Sequence, residues 1–534
     1  MCCSRARCAI NPWLRSGRAM NGNATRFFVD RHVLDGCGDR AAILHERARV
    51  AYGEMADEIN RVGNYLKSLG VQPEQRVVLQ VHDSPEWVYF FMAAIKIGAI
   101  AVPVNTFCNA RALAFYLNDS RAPVLITHRE YSDGAQTLMG HTAPFLRHIA
   151  CVEDGAWRGQ SLMLEPFDVS SEDSALWLYT SGSTGVPKAV VHSHGGVVAC
   201  AGGFGRNVLA ITGSDRCYSA SKLFFAYGLG NSIIFPFSVG AACILNARRS
   251  EADCVIRTIR ELKPTLFFAV PTLYKQLLSS PELSRELFAD VRLCVSAGEA
   301  LAEAVFDHWL ERTGQVLYEG IGTTEALHIF CSNRPGAHKR GTSGTPVDGY
   351  ELRIVDARGV DVEGADAGRL LVQGETLAKG YWNRREAQAH AFFGAWLATG
   401  DIYQRTAEGY FRYVGRQDDA FKTSGLWVSP GEIENALLSC PHAKEVAVVA
   451  VKNSAGAAAA KACVVLSETA GRLPQDHVRQ EIYQHLEVQL SRYKIPAFIE
   501  FLPALPRTAT GKISRSELRC EPGRAFRAGA AMES

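Results

Sequence analysis

The stretch "LWLYTSGSTGVPKAVVHSH", Leu176 to His194, decides how the chain is read. An apolar run breaks into six small residues, Thr180 to Gly185, passes Val186, Pro187 and Lys188, and resumes as Ala189-Val190-Val191. Such a loop suits a phosphate group, because small residues let backbone N–H groups converge on its oxygens and a lysine adds charge. It is not a Walker A loop, which requires G-x-x-x-x-G-K-[ST], since two residues separate Gly185 from Lys188. Nor is "TATGKIS" one, because Pro506 stands five positions before Gly511 and Ile513 follows Lys512.

A length of 534 residues exceeds one ordinary core and implies two or more domains. Hydrophobic residues at 47% and charged residues at 21% describe a soluble globular protein. Lys+Arg 57 less Asp+Glu 55 leaves +2, which gives no electrostatic ground for nucleic acid or an anionic membrane and points to a small-molecule partner. Fifteen cysteines are spread from Cys2 to Cys520 with no C-x-x-C pair, the pattern of a reduced, cytoplasmic protein rather than of a metal site. The longest apolar candidate, Phe90 to Val104, is interrupted by Lys96 and Pro103 and falls short of the ~18 to 20 residues of a membrane span. It reads as a buried helix running into a strand. The first 19 residues carry four arginines, no acid and no continuous apolar region, so residues 1–22 read as a tail or as sequence ahead of a true start at Met20.

Strand-like runs alternate with helix-length stretches along most of the chain: "RVVLQVH" (Arg76 to His82), "APVLITH" (Ala122 to His128), "PTLFFAV" (Pro264 to Val270) and "VRLCVSAGE" (Val291 to Glu299), with "SPELSRELFADV" (Ser280 to Val291) read as an amphipathic spacer of helix length. The alternation predicts an α/β fold with layered, largely parallel sheets. From about Gly341 short glycine-bounded runs such as "YELRIVD" and "GRLLVQG" predict a small antiparallel sheet or barrel-like subdomain. Then Ser429 is placed to cap and Pro430 to open a helix, followed by a buried strand, in a compact C-terminal domain. The expected division is a large domain over 23–415, a smaller α+β domain over 416–520 and a tail over 521–534.

Five further motifs accompany the loop "YTSGSTGVPK": "SAGEAL" (Ser296 to Leu301), "YEGIGTTE" (Tyr318 to Glu325), "TGD" (Thr399 to Asp401), "GRQDDAFKTSGLWVSPGEIE" (Gly415 to Glu434) and "PRTATGKISR" (Pro506 to Arg515). In order and rough spacing they resemble the adenylate-forming superfamily of acyl-CoA synthetases, luciferases and peptide-synthetase adenylation domains along nearly the whole chain. The resemblance implies two steps: a carboxylate is activated by ATP as an acyl adenylate with release of pyrophosphate, and a thiol then displaces AMP. It also implies a mobile C-terminal domain.

The same resemblance assigns residues. Thr180, Ser181, Gly182, Ser183, Thr184, Gly185 and Lys188 would hold the outer phosphates. Glu325 matches the magnesium-binding acid, a role that suits a carboxylate toward a hard cation, and Thr324 would hydrogen-bond the α-phosphate. Ala297, Gly298, Glu299, Tyr318, Glu319 and Gly320 match adenine-binding segments, with Tyr318 as the stacking face. Asp401 matches the acceptor of the ribose hydroxyls, assisted by Arg416. Lys512 would pair with carboxylate and α-phosphate oxygens as charge builds, stabilising the transition state more than the ground state. Asp418 falls on the hinge position and Gly425 on the pantetheine tunnel. Taken alone, each has a plainer reading: a surface turn, a helix-start acid, a core tyrosine or a solvated lysine.

"SKLFFAYGLGNSIIFP" (Ser221 to Pro236), "TTEALHIFCSN" (Thr323 to Asn333) and "NATRFFVDRHVLDGCGDRAAI" (Asn23 to Ile43) resemble the benzoate-CoA ligase branch, including its hydroxy- and aminobenzoate relatives. An aryl carboxylate is the implied acid and, with no carrier module after Lys512, coenzyme A the implied thiol. Phe225, Ala226, Tyr227 and Gly228 would form one wall of a flat slot, with His328 and Ile329 opposite and Phe225 as gate. Ala326 and Cys331 beside the slot leave the ring substituent open, and a core strand at Phe224 to Tyr227 is the plainer alternative. ATP, Mg2+ and coenzyme A are the expected cofactors, and a homodimer is carried as an expectation that no residue fixes. Intact Glu325, Asp401 and Lys512 argue against a non-catalytic scaffold, and "FFAYG" offers no acidic partner for an amino acid's ammonium.

Overall fold

The computed structural model describes residues 22–46, 48–181, 186–362, 364, 366–417, 421–423, 426–452, 458–507 and 513–519. Two large sheets form the body. In the seven-stranded sheet, strands Ser174–Ser181, Ile100–Pro103, Arg76–Gln80, Val124–Thr127 and His148–Cys151 run parallel in that spatial order, and Pro187–Ser193 and Gly380–Tyr381 add antiparallel at one side. The nine-stranded sheet has a parallel centre, in the order Leu317–Gly322, Leu293–Ser296, Leu266–Ala269, Arg216–Ser219, Ala242–Leu245 and Ala41–His45, with antiparallel strands at both ends.

The parallel strands are buried on both faces, which is why they read as continuous apolar runs rather than alternating ones. Along Arg76–Gln80, Val77 and Leu79 enter the core shared by both large sheets, while Val78 packs on the other side with Ile100, Val102 and Leu125. Helix Pro85–Lys96 lies in the shared core and is buried from Trp87 onward, as a helix apolar all round must be. Its start is set by Ser84, which accepts from Trp87 N at 3.4 Å, and by Pro85 at the first position. Burial of side chains such as Trp87, Phe90 and Phe91 contributes roughly 1.5–3 kcal/mol each. Its last residue, Lys96, is 3% exposed and tolerable there because Asp30 lies 2.8 Å from its ammonium. The Phe90 to Val104 stretch is thus the helix and strand that the sequence predicts. Among the described residues no helix is long and apolar enough to cross a membrane.

The glycine-rich region is a five-stranded antiparallel sheet built on Tyr350–Val355, Gly368–Gly374, Trp396–Arg405 and Phe411–Arg416. Ser429 caps helix Pro430–Leu438 as expected, accepting from Glu432 N at 3.2 Å. That helix and Gln475–Gln489 cover a three-stranded sheet of Ala443–Lys452, Ala458–Leu466 and Phe498–Phe501.

One expectation is corrected and one alternative is set aside. Ser280 to Val291 forms successive turns rather than a helix; Ser280 and Ser284 hydroxyls take the amides of Glu282 and Leu287 at 3.3 Å each, diverting them from a helical ladder while Leu283, Phe288 and Val291 stay buried. The Phe224 to Tyr227 segment is not a strand either: Phe225 precedes a short helix, Ala226–Leu229, that continues through a wider turn at Gly230–Ile234 into Phe235–Phe237.

Candidate active site

The phosphate-loop sequence joins two antiparallel strands whose register sets Thr180 opposite Lys188 and Ser181 opposite Pro187. Gly182, Ser183, Thr184 and Gly185 lie outside the described residues. The base of this hairpin is locked: Tyr179 Oη donates to Asp119 Oδ2 at 2.9 Å, Arg384 reaches Asp119 Oδ1 at 2.6 Å, and Trp382 Nε1 donates to Asp119 O at 3.0 Å. Lys188 extends over the ring of Tyr381, its ammonium 4.5 Å from the centroid.

Across from Lys188, the Thr323 to Ala326 turn is pinned at every carbonyl from Thr324 on. His192 Nε2 donates to Thr324 O at 2.9 Å, Ala378 N to Glu325 O at 2.7 Å, and Thr376 Oγ1 and Tyr350 Oη to Ala326 O at 2.9 and 3.4 Å. Burial keeps His192 neutral by pushing its pKa down to about 4. The Glu325 carboxylate is buried, with Thr323 Oγ1 on Oε2 and Tyr381 Oη donating to Oε1 at 2.6 Å. Each oxygen keeps a lone pair free, and an all-oxygen donor held this way fits a hard cation such as magnesium. Thr324 is half-buried with no side-chain hydrogen bond among the described residues.

Asp401, in strand Trp396–Arg405, is buried and accepts from Arg416 Nη1 at 2.9 Å, while its amide bonds Thr399 Oγ1 at 3.1 Å. Burial raises its pKa, Arg416 opposes that shift and the Glu325 charge adds to it, so the two carboxylates share one electrostatic neighbourhood. Ala297 is buried, and Gly298 adopts φ +89 in the turn that follows strand Leu293–Ser296. Glu299 is exposed and accepts from Thr272 Oγ1 at 2.7 Å. Glu319 is buried, accepts from Leu301 N at 3.4 Å, and has its pKa pushed up to about 8 by burial.

Strand alternation separates the proposed adenine residues. Glu319 and Ile321 share one face of Leu317–Gly322, whereas Tyr318 turns toward the core, packing beside Phe204, Val208 and Val295 and meeting the His338 ring at 5.8 Å. Tyr318 and Glu319 therefore face opposite sides of the strand, and Ile321, not singled out from the sequence, shares the side of Glu319. Gly320 is buried beneath Ile329.

Beyond Glu325 the chain turns back at Leu327, φ +65, and delivers His328 into an aromatic wall. The His328 ring is 5.4 Å from Tyr227, 5.5 Å from Phe204 and 4.6 Å, edge to face, from Phe235. Its Nε2 donates to Tyr227 O at 3.3 Å, and burial lowers its pKa to about 3, so the ring is neutral. Tyr227 Oη is itself fixed, donating to Val295 O at 3.1 Å. Ala226 is half-buried beside this wall, and Phe225, 46% exposed, stands at its rim. A Cβ on Gly228 would run into the Ser221 and Lys222 carbonyls of its own loop, and Ile329 is buried over Gly320 in the core that also holds Phe204 and Phe235.

Asp418, Gly425 and Lys512 lie outside the described residues. The flanks of the Lys512 segment meet, Ser514 N donating to Pro506 O at 2.8 Å and Arg507 pairing with Ile513. Among the residues that the sequence did not reveal, Tyr381, His192, Tyr350 and Thr376 all act on the Thr323 to Ala326 turn.

The AMP-binding enzyme family matches residues 30–382, and the AMP-binding enzyme C-terminal domain matches residues 432–512. The 4-hydroxybenzoate-CoA/benzoate-CoA ligase of Rhodopseudomonas palustris is 40% identical, covering 93% of this chain and 94% of its own, and the benzoate-CoA ligase of Thauera aromatica is 39% identical, covering 93% and 95%. The crystal structure of the anthranilate CoA ligase AuaEII in complex with anthranoyl-AMP superposes with a TM-score of 0.87 at 39% identity, covering 93% of this chain and 96% of that one. The chain belongs to the AMP-binding enzyme family.

Proposed function

We propose that the protein is an ATP- and magnesium-dependent aryl-CoA ligase, acting on benzoate or a substituted benzoate. The observation that carries the reading is the single turn from Thr323 to Ile329. It presents a doubly held carboxylate, Glu325, toward the phosphate hairpin and, three residues later, His328 in an aromatic slot. Phosphate chemistry and an aryl-sized wall are thereby joined through one rigid segment. The ligases similar to this chain act on benzoate, 4-hydroxybenzoate and anthranilate, which supports the substrate class.

In the proposed course a carboxylate oxygen of the aryl acid attacks the α-phosphorus of ATP and pyrophosphate leaves, giving the aryl adenylate. The coenzyme A thiol, losing its proton, then attacks the acyl carbon and AMP leaves. Magnesium, when bound, neutralises phosphate charge. Glu325 is the residue to hold it; Lys188 and the loop from Thr180 to Gly185 take the outer phosphates, Thr324 the α-phosphate, Asp401 with Arg416 the ribose, and Ala297, Glu319 and Ile321 the adenine. Lys512 stabilises the adenylation transition state, and rotation of the C-terminal domain about Asp418 exchanges it for the thiol path past Gly425.

A second reading within the class is favoured by one observation. With its proton on Nε2 toward Tyr227 O, His328 leaves Nδ1 as a buried acceptor without a partner among the described residues. A hydroxyl or amino group on the ring would fill that need, and plain benzoate would not. A homodimer and a cytoplasmic location complete the proposal; free cysteines at every described position accord with the latter.

The test is formation of the CoA thioester, followed by mass spectrometry together with AMP release. It is run with ATP, magnesium and coenzyme A over benzoate, the hydroxy- and aminobenzoates, a medium-chain fatty acid and acetate. Thioesters of the aryl acids alone are expected; preference for the fatty acid or acetate would overturn the reading of the slot.

A further inference from the structure

Tyr381 belongs to no motif that the sequence singles out, yet it touches both charged arms of the site. It sits in the two-residue strand Gly380–Tyr381, paired to Pro187–Ser193 with Tyr381 opposite Val190, two residues past Lys188. Its hydroxyl donates to Glu325 Oε1 at 2.6 Å, and its ring carries the Lys188 ammonium at 4.5 Å.

The placement of Tyr381 is itself well determined. Its amide donates to Gln388 Oε1 at 2.8 Å, Trp382 N donates to Ala189 O at 3.0 Å, and its ring packs edge to face on Phe392 at 5.6 Å. Gly380 adopts φ +139, and a Cβ there would collide with the Gln388 carboxamide that holds the strand end. A glycine thus suits position 380, where the backbone meets Gln388 of helix Arg385–Ala391.

We propose that Tyr381 is a positioning residue that holds Glu325 for the metal and keeps Lys188 free for phosphate. The inference rests on the proposed metal role of Glu325. A lysine facing a buried carboxylate ordinarily pairs with it, cancelling both charges. Here Lys188 makes no ion pair among the described residues; the π-face of Tyr381 holds it by a cation–π contact, which leaves its charge uncancelled. The Glu325 carboxylate is oriented instead by two neutral donors, Tyr381 and Thr323, which fix its plane without neutralising it.

The test uses the full chain with Mn2+ in place of magnesium and an α,β-methylene ATP analogue, with no acid and no coenzyme A. Free Mn2+ is read by electron paramagnetic resonance and analogue binding by calorimetry. Tyr381→Phe is expected to weaken Mn2+ in the ternary complex about tenfold, the loss typical of an outer-shell partner, and to leave metal-free analogue binding unchanged. Tyr381→Leu, which also removes the ring, is expected to weaken the analogue itself. In a Glu325→Gln background Tyr381→Phe should add nothing. Wild-type Mn2+ affinity in Tyr381→Phe, or an undiminished Tyr381→Phe penalty in Glu325→Gln, overturns the proposal. Should Tyr381→Leu fold poorly by its thermal midpoint, the Tyr381→Phe and Glu325→Gln cycle decides alone. If Glu325→Gln itself binds Mn2+ like the wild type, the metal role of Glu325 falls, and the positioning role with it. Because no acid is present, failure of the aryl substrate assignment leaves this measurement intact.

Discussion

The two ends of the proposed site are built by different physics. At the nucleotide end, Glu325 has both carboxylate oxygens engaged, and the carbonyls of Thr324, Glu325 and Ala326 are each taken by a separate donor. At the acyl end, the rings of Phe204, Tyr227, Phe235 and His328 meet at 4.6 to 5.5 Å, and a single 3.3 Å hydrogen bond ties His328 to the helix opposite. Preorganised charges lose their value if they move, so the first end is over-determined. Apolar walls tolerate reshaping at modest cost, so the second is where discrimination between related acids can change without loss of the reaction.

That contrast yields ordered expectations. Lys512→Ala should cut the adenylation rate by about 100- to 1000-fold for every acid alike, measured as single-turnover formation of the adenylate; a loss confined to one acid would erase the distinction between the ends. Asp401→Asn, which breaks a buried charge-assisted bond to Arg416 at 2.9 Å, should raise the KM for ATP about tenfold while the ranking of acids is unchanged. Gly230→Ala works from the other side: its Cβ would collide with the His328 ring, so KM for the acid should rise severalfold, on the order of an overpacked core position, with KM for ATP unmoved.

One further effect concerns stability rather than rate. Burial pushes the Glu319 carboxyl from its usual 4.5 up to about 8, so between those values the folded chain holds a proton that the unfolded chain releases. Stability should therefore fall as pH rises through that window, by up to ~1.4 kcal/mol per unit. Glu319→Gln should flatten the slope in denaturant unfolding across pH 5 to 8.

Much of the fold was legible because its signals are local. The parallel strands are short apolar runs between turn residues, Ser429 and Pro430 mark a helix start that the structure keeps, and the glycine-rich texture after Gly341 becomes the antiparallel sheet. Ser280 to Val291 misled because hydroxyls competing for backbone amides leave the apolar spacing of a helix intact. Tyr318 and Glu319 read together as one segment because their motif gives residue order but not which face of the strand each side chain takes.

The site was legible only where one segment carries its own chemistry, as in Thr323 to Glu325. Tyr381 reaches Glu325 across 56 positions, and His192 reaches Thr324 across 132, through strand pairing that no periodicity announces. A two-residue strand such as Gly380–Tyr381 has no pattern of its own, and tertiary pairing alone gives it a place.

The most direct test is ATP–pyrophosphate exchange with coenzyme A omitted, because it isolates acid activation at the junction of the two ends. Exchange driven by benzoate and its hydroxy and amino relatives, and not by acetate or a medium-chain fatty acid, is the result predicted. Exchange that is independent of added acid, or strongest with the fatty acid, would contradict a site in which the turn from Glu325 to His328 couples phosphate chemistry to an aryl slot.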